Sequence, residues 1–365
     1  MKKTLWMLGV AVAALTSCTQ SEVLDVPESR VIGFEPFVGK STRAANVAAN
    51  MLIGAAGAAN DLTSFWVYGS YTGAVNTNNT PFDGINVYWD VANSSFKYDS
   101  PQQWHIGSYQ FAAYSNGNSE LSNVNVDLGT RILTFTDYEN DGNKDLLVAV
   151  PAAITKDASN IGNRESVKFN FKHMLACVQL RFTNASDAFA LDFKDVKFEA
   201  NSEGTCTFNA TNVESPTVGW EDLAESLIYE FRTNEYNPDN NAHDPNALLL
   251  QPGTNANFYC FVIPQENSTI KLTFNVDSYN RIQTGTDGQG KPTYQYSFSS
   301  NDKYEASLNV TPNSTWEPGI LYRYTADING KNHWITFSVQ SVEEWTSENK
   351  PAIETPVNPS TPQNP

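Results

Sequence analysis

Short runs of aromatic and β-branched residues recur along almost the whole chain, and they constrain its fold more than any other feature. Most of these runs alternate apolar and polar positions, and Gly, Pro, Asn or Asp bound each of them. Such a pattern is typical of β-strands joined by turns. The clearest runs are residues 65–68, 132–135, 146–150, 177–182, 193–198, 258–263, 270–276, 321–328 and 334–339. The sequence therefore predicts an all-β fold built from β-sandwiches.

Helical patterns are few. Residues 47–59 are mostly small and have mixed potential, and residues 220–231 could form one short helix. Neither segment changes the predicted fold class.

The chain has 365 residues, which is long enough for two domains of ordinary size. A polar stretch at 158–164 contains Asn and Gly, and we place the domain boundary there. The prediction is an N-terminal domain of residues 44–163 and a C-terminal domain of residues 164–347. In this division the strand pattern at 167–173 opens the second set of strands.

The first eighteen residues have the features of a targeting segment. Lys2 and Lys3 precede an apolar run at 5–15, which is too short to span a bilayer as a permanent helix. The run closes with Leu-Thr-Ser-Cys, the pattern of a lipoprotein signal in which Cys18 receives lipid on its thiol. An ordinary signal peptide with a chance cysteine is the alternative. We favour the lipoprotein, whose lipid anchors it to the outer membrane without spanning it.

Charge and cysteine content restrict the partners and cofactors. The net charge is −17, and no basic patch exists that would release counterions from nucleic acid. We therefore predict no nucleic-acid partner.

Apart from Cys18, the cysteines are Cys177, Cys206 and Cys260, and none has the spacing of a metal site. Buried free thiols are favoured over a disulfide between two of them, and we predict no metal and no cofactor.

Candidate catalytic groups are scattered. The segment 137–145, Asp-Tyr-Glu-Asn-Asp-Gly-Asn-Lys-Asp, is similar to a calcium loop, but Val148 stands where the bidentate Glu should be. An acidic turn between strands is the favoured interpretation. His173 is expected to be a paired structural histidine, and no nucleophile or phosphate-loop motif occurs, so the sequence predicts no enzyme.

Exposed tryptophans could stack on sugars. Trp89 and Trp104 lie beside Asn- and Gln-rich turns, where exposure is expected, whereas Trp66, Trp334 and Trp345 are expected in the core. Trp89 and Trp104 are therefore the candidate sugar contacts of an alternative function, a monomeric glycan-binding surface lipoprotein.

Several segments together carry a family resemblance. The most specific is 169–178, Phe-Asn-Phe-Lys-His-Met-Leu-Ala-Cys-Val, which fits a Phe-x-His-x-Leu opening of a second domain. The others are the lipoprotein signal at Cys18, residues 32–38 followed by 41–44, residues 62–68, residues 111–114 after Trp104, and residues 335–337 followed by Trp345. In these segments the chain resembles the fimbrillin family of the Bacteroidetes, the type V pilins, including the Mfa-like fimbrillins.

The resemblance implies two transthyretin-like β-sandwich domains in tandem and a structural, adhesive subunit of a cell-surface fimbria. It implies assembly by strand exchange, in which a leading strand fills a groove until an arginine-specific protease removes it. The implied partners are other fimbrial subunits, that protease, the outer-membrane lipid anchor, and a host protein or glycan. Whether the subunit belongs to the stalk, tip or anchor stays open.

Mapped onto this chain, the resemblance makes residues 19–43 a propeptide. Its leading strand is 31–38, with Ile32, Phe34 and Pro36 on one face. Cleavage is expected after Arg43 and before Ala44; Arg30 is the weaker candidate, because a cut there leaves the strand attached. The donor strand would carry Ile353, Thr355 and Val357 within the Pro-rich segment 348–365. Its prolines remove backbone donors, so a plain spacer is the equal alternative.

Overall fold

The structure is a computed structural model of the chain, and the regular elements in the part that it describes are nineteen β-strands. It describes residues 30–38, 62–74, 79–163, 165–230, 232–233, 249–265, 270–308, 315–328 and 337–344. Within these ranges there is no α-helix, and no helix that could cross a membrane. The strands are β1 (Gly33–Val38), β2 (Ser64–Gly73), β3 (Phe82–Asp90), β4 (Ser95–Lys97), β5 (Gly107–Asn116), β6 (Val124–Asp127), β7 (Ile132–Glu139), β8 (Leu146–Ala149), β9 (Ile154–Lys156), β10 (Ser166–His173), β11 (Ala176–Asn184), β12 (Phe189–Asn209), β13 (Thr217–Glu230), β14 (Arg232–Thr233), β15 (Asn255–Val262), β16 (Ile270–Thr286), β17 (Pro292–Leu308), β18 (Ile320–Ile328) and β19 (Phe337–Glu344).

The strands form three sheets. The first has the order β1-β10-β8-β5-β2-β3-β4, with β9 paired to β5. The second has the order β14-β15-β11-β18-β19, and the third β17-β16-β12-β7-β6, with β13 paired to β12. Pairing is antiparallel except between β1 and β10 and between β11 and β18. The all-β class predicted from the alternating pattern is confirmed, while the tandem transthyretin-like arrangement stays a prediction.

Three hydrophobic cores hold these sheets. The first core lies on one face of the first sheet, and the second core lies between β11 and β12 and their neighbours. A middle core collects the other face of the first sheet together with β7 and part of β12. In β2, for example, Phe65 and Val67 enter the first core whereas Trp66 enters the middle core. Alternation therefore places both faces of the strand in apolar surroundings.

Strand pairings cross the position where we placed the domain boundary. The strand expected to open the second set, β10, instead pairs with β1 and β8 in the first sheet. The reason is its alternating apolar face, since Val167, Phe169 and Phe171 are buried in the first core. In the other direction, β7 pairs with β12 of the third sheet. The division at 163/164 itself stays a prediction.

The short helix considered for residues 220–231 is wrong. Residues 220–230 belong to β13, which pairs with β12 from Asn209↔Thr217 to Lys197↔Glu230. The neighbouring strand satisfies the backbone groups that a helix would have satisfied internally, so tertiary pairing overrides local propensity. Residues 47–59 lie outside the described part of the chain.

Candidate functional site

The edge of the first sheet is formed by the segment that the sequence predicted as a leading strand. We call residues 31–38 the leading strand and the space that they occupy the groove. β1 runs parallel to β10, from Gly33↔Ser166 to Val38↔Phe171. The strand is separated in sequence from both of its neighbours, so its hold on the sheet is non-covalent once the chain between residues 38 and 62 is cut.

At its start the leading strand has a second neighbour. Val31 forms an antiparallel bridge with Gln103. The Ile32 amide donates to the Gln102 carbonyl at 2.9 Å, and the Trp104 amide donates to the Arg30 carbonyl at 2.8 Å. The groove is therefore closed on one side by β10 and, at its beginning, on the other side by residues 102–104.

One face of the leading strand is buried. Ile32 is 1% exposed and Phe34 is 5% exposed, and Pro36 is also buried, whereas Glu35 between them is exposed. The structure thus brings together the three residues that the sequence placed on one face. Their inward side chains at alternate positions are the kind of contact that fixes the register of a strand in a groove.

The ring of Phe34 lies in a pocket of aromatic side chains. It stacks on Phe169 with centroids 5.7 Å apart, and it meets Phe82 edge-on at 5.3 Å. Tyr98 lies at 5.3 Å and Phe111 at 6.1 Å. Edge-to-face and offset contacts of this kind stabilise beyond the area that they bury. Four aromatic rings therefore surround the Phe34 position of the groove.

Tyr98 also ties down the backbone of the leading strand. Its hydroxyl donates to the Ile32 carbonyl at 2.9 Å and accepts from the Gln102 amide at 3.0 Å. Burial raises the pKa of Tyr98 to about 12, although the bond from Gln102 lowers the pKa slightly. The neutral phenol is the form that can donate to Ile32, and it is the form that burial favours.

Trp104 lies beneath the start of the groove and not on the surface. It is 1% exposed, so the expectation that it contacts sugar is wrong. Its indole N–H donates to the Glu165 carbonyl at 3.3 Å, and the Lys156 ammonium lies 4.7 Å from its ring centroid. That ammonium pairs with the Glu165 carboxylate at 2.6 Å. The polar residues before Trp104 lie beside the start of the leading strand, whereas the side chain of Trp104 itself enters the first core.

Trp89, the other candidate sugar contact, is 36% exposed. Its ring meets Phe96 edge-on at 5.1 Å, in the pair formed by β3 and β4. The expected exposure is therefore present, and sugar binding by Trp89 stays a prediction.

Several predicted site residues lie outside the described part of the chain. They are Cys18, Arg43, Ala44, Ile353, Thr355 and Val357, together with Trp334 and Trp345. Arg30 is described and exposed, directly before the bridge to Gln103.

The acidic segment 137–145 joins β7 of the third sheet to β8 of the first. Asn140 is buried and donates to the Phe261 carbonyl at 2.9 Å, and its own side-chain oxygen accepts from the Gly142 amide at 3.0 Å. Asp145 pairs with His173 at 2.7 Å, which agrees with the expected structural histidine. Among the described residues no group of three or more His, Cys, Asp or Glu side chains could hold a metal. The segment is a connection between sheets.

The three thiols are free and buried, as the cysteine count favoured. Burial raises the pKa of Cys177, Cys206 and Cys260 well above the usual range, because a thiolate would lose its hydration there. They belong to the apolar cores.

Sequence reasoning missed the second wall of the groove. Residues 98–104 contain no alternating run, so no strand signal marked them. The one available signal was the pair of large aromatic residues, Tyr98 and Trp104, flanking a polar stretch. Their proximity to the leading strand depends on long-range pairing that a local pattern does not encode.

Comparison with known families assigns the chain. The family described as fimbrillin-like matches residues 42–345, most of the sequence. The chain belongs to the fimbrillin-like family. It is accordingly a fimbrial or adhesin-type protein of the cell surface. No curated protein matches the chain.

Solved structures give the same kind of relatives. A fimbrial protein from Bacteroides vulgatus is 16% identical, with a TM-score of 0.45, and the match covers 87% of this chain and 100% of that one. The fimbrial anchor protein Mfa2 from Porphyromonas gingivalis is 12% identical, with a TM-score of 0.29, and the match covers 87% of this chain and 98% of that one.

Proposed function

We propose that the protein is a fimbrial subunit that assembles by β-strand complementation. In this proposal it is exported as an outer-membrane lipoprotein with lipid on Cys18. An arginine-specific protease then cuts after Arg43, the leading strand leaves, and a strand of a neighbouring subunit takes its place. The role is structural and adhesive and involves no catalysis. The observation that carries the proposal is the position of the leading strand, at the edge of the first sheet with Ile32, Phe34 and Pro36 buried.

Departure of that strand would leave a surface that can bind another strand. The backbone of β10 would lose its partner along Ser166–Phe171, and the pockets of Ile32 and Phe34 would open to water. Unpaired strand edges and contiguous apolar surface both favour association. Ladder hydrogen bonds would then supply affinity, and alternating side chains would supply register.

The position of the cut decides whether the strand can leave. A cut after Arg43 separates the leading strand from everything that follows it, whereas a cut after Arg30 leaves it covalently joined to β2. Arg43 is therefore the proposed processing site and Arg30 the weaker alternative.

The segment that this chain would offer to a neighbour is 353–357, with Ile353, Thr355 and Val357 on one face. Its prolines restrict it to an edge position. If it is a spacer instead, the protein serves at the tip or the anchor of the fimbria and not in the stalk.

The test is controlled trimming of the purified precursor. Treatment with an arginine-specific protease is expected to release a fragment ending at residue 43, identified by mass spectrometry. The trimmed protein, alone or mixed with other fimbrial subunits, should then form multimers that resist denaturant. The Arg43→Lys variant should release no fragment ending at residue 43 and should stay monomeric, while Arg30→Lys should behave as the parent. Trimmed protein that stays monomeric with every subunit offered would refute the proposal.

Glycan binding is a second candidate, supported by the exposed ring of Trp89. Binding on a glycan array that is lost in Trp89→Ala but kept in Arg43→Lys would favour it. An array without any binding would remove it.

A further inference from the structure

The groove has a definite shape, and this shape restricts which strand can replace the leading strand. The Phe34 position is enclosed by four aromatic rings, those of Phe82, Tyr98, Phe111 and Phe169. A side chain smaller than phenylalanine leaves part of this space empty. Cavities inside a packed core are costly because the walls lose contacts and relax only in part.

The Ile32 position adds a further requirement. The Ile32 amide donates to the Gln102 carbonyl, so a proline at this position would lose that bond. The Gly33 position is less selective, because a Cβ there would lie 3.0 Å from the Ser166 hydroxyl oxygen, which can rotate away. The groove therefore fits an aliphatic residue that keeps its N–H and, two positions later, an aromatic residue.

The C-terminal segment of this chain does not have that pattern. Residues 346–365 contain no aromatic residue, so in every register the Phe34 site receives at most Ile353 or Val357. With Ile353 at the Ile32 position, Thr355 falls at the Phe34 position. With Ile353 at the Phe34 position, Pro351 falls at the Ile32 position and cannot donate to Gln102.

We propose that the groove selects a strand from a different subunit, one that carries an aromatic side chain at the Phe34 position. The 346–365 segment of a second copy is a poor occupant, so we do not expect assembly through that segment at this joint. Like the leading strand, the incoming strand runs parallel to β10, and it directs an aliphatic and an aromatic side chain, two positions apart, into the groove. This inference rests on the proposed function, because it identifies the strand that enters the same groove.

The test compares how tightly different peptides bind to the groove of one cleaved form of the protein. A full chain without residues 1–18 receives a site for a sequence-specific protease between residues 39 and 61. After cleavage, labelled peptides compete with the leading strand, and fluorescence polarisation and native mass spectrometry measure exchange. Two peptides carry native sequence, residues 29–38 and residues 350–359. Three are variants: Phe34→Thr in the first peptide, and Thr355→Phe or Glu354→Phe in the second.

The 29–38 peptide is expected to replace the leading strand, and Phe34→Thr should weaken its binding roughly 100-fold. The native 350–359 peptide should bind no better than the Phe34→Thr peptide. Thr355→Phe should improve its binding about tenfold or more, since it restores the aromatic contacts. Glu354→Phe adds the same ring at the neighbouring, oppositely directed position and should give no gain.

Two outcomes would overturn the selection while leaving strand exchange intact. One is an affinity of the native 350–359 peptide within about threefold of that of the 29–38 peptide. Such a difference in affinity is smaller than the loss of one buried methylene group would cause. The other is equal binding by the Thr355→Phe and Glu354→Phe peptides. Failure of even the 29–38 peptide to exchange would instead refute strand complementation, and the proposed function with it.

Discussion

Phe34 stacks on Phe169 across the edge of the first sheet, with ring centroids 5.7 Å apart and planes inclined by 26°. In the parallel ladder Phe34 lies opposite Val167, and Phe169 lies opposite Pro36, so the two rings are diagonal neighbours on one face. The contact joins the leading strand to β10, its neighbour in the first sheet. Its strength therefore measures how firmly the leading strand is held in the groove.

Truncation of Phe34 tests that contact directly. Phe34→Ala should lower the free energy of unfolding of the precursor by about 3–5 kcal/mol, because the ring is buried among aromatic neighbours. Glu35→Ala, one position along and exposed, should change it by less than about 0.5 kcal/mol. Urea titration followed by tryptophan fluorescence gives both values. Equal effects for the two variants would mean that the leading strand does not complete the first core.

The ion pair beneath the groove gives a second prediction. Lys156 has a fully buried side chain, whereas Glu165 is 57% exposed. Glu165→Ala should cost about 2 kcal/mol, since it leaves the buried ammonium with only the ring of Trp104. Lys156→Met should cost less, because it removes the buried charge and keeps an unbranched apolar side chain. Urea unfolding of both variants measures the loss in the free energy of unfolding. A larger loss for Lys156→Met than for Glu165→Ala would contradict this account.

The alternating runs were enough to predict most of the strands, whereas the leading strand was predicted from the family resemblance and its buried face from alternation within it. Ile32, Phe34 and Pro36 alternate with Gly33 and Glu35, and period two alone puts them on one side. The same reasoning could not tell which sheet a strand joins. Strand β10 has a clear pattern, yet its partners β1 and β8 are set by which core its phenylalanines can enter.

Trp104 shows the limit of reading exposure from sequence neighbours. Polar residues surround it, and they suggested a surface position, but its exposed fraction is 1%. Its position depends on contacts with Glu165 and Lys156, which are distant in the chain. Such burial is decided by tertiary packing, for which local composition is a weak guide.

Gly142 and Gly253 have nearly the same backbone conformation but different surroundings, so a comparison of the two separates backbone strain from overpacking. Both have positive φ, +77° and +76°. A Cβ on Gly142 would lie 2.7 Å from the Cys260 sulfur, whereas a Cβ on Gly253 would meet nothing within 4 Å. Gly253→Ala should cost about 1–2 kcal/mol from the left-handed conformation alone. Gly142→Ala should cost at least about 1 kcal/mol more because it also overpacks the connection between sheets. Thermal unfolding of both variants measures the difference, and equal midpoints would contradict the close approach.

Alkaline pH should loosen the leading strand through Tyr98. Burial raises its folded pKa to about 12, above the usual value of about 10, so the protonated phenol stabilises the fold. That contribution is complete below about pH 10 and is lost as the pH rises through about 12. The phenolate could no longer donate to the Ile32 carbonyl, and it would face that oxygen with a negative charge.

The cleaved protein of the peptide-exchange test provides the measurement. Release of its leading strand, followed by native mass spectrometry or size exclusion, should rise steeply between about pH 10 and pH 12. Tyr98→Phe should release slightly more strand at pH 8, since one hydrogen bond is missing, but its release should rise less with pH. Tyr114→Phe is the control, because burial raises the pKa of Tyr114 to about 12 as well but its ring lies in the middle core, away from the groove. If Tyr114→Phe flattens the release profile as much as Tyr98→Phe does, the alkaline effect belongs to the whole fold and not to the bond between Tyr98 and Ile32.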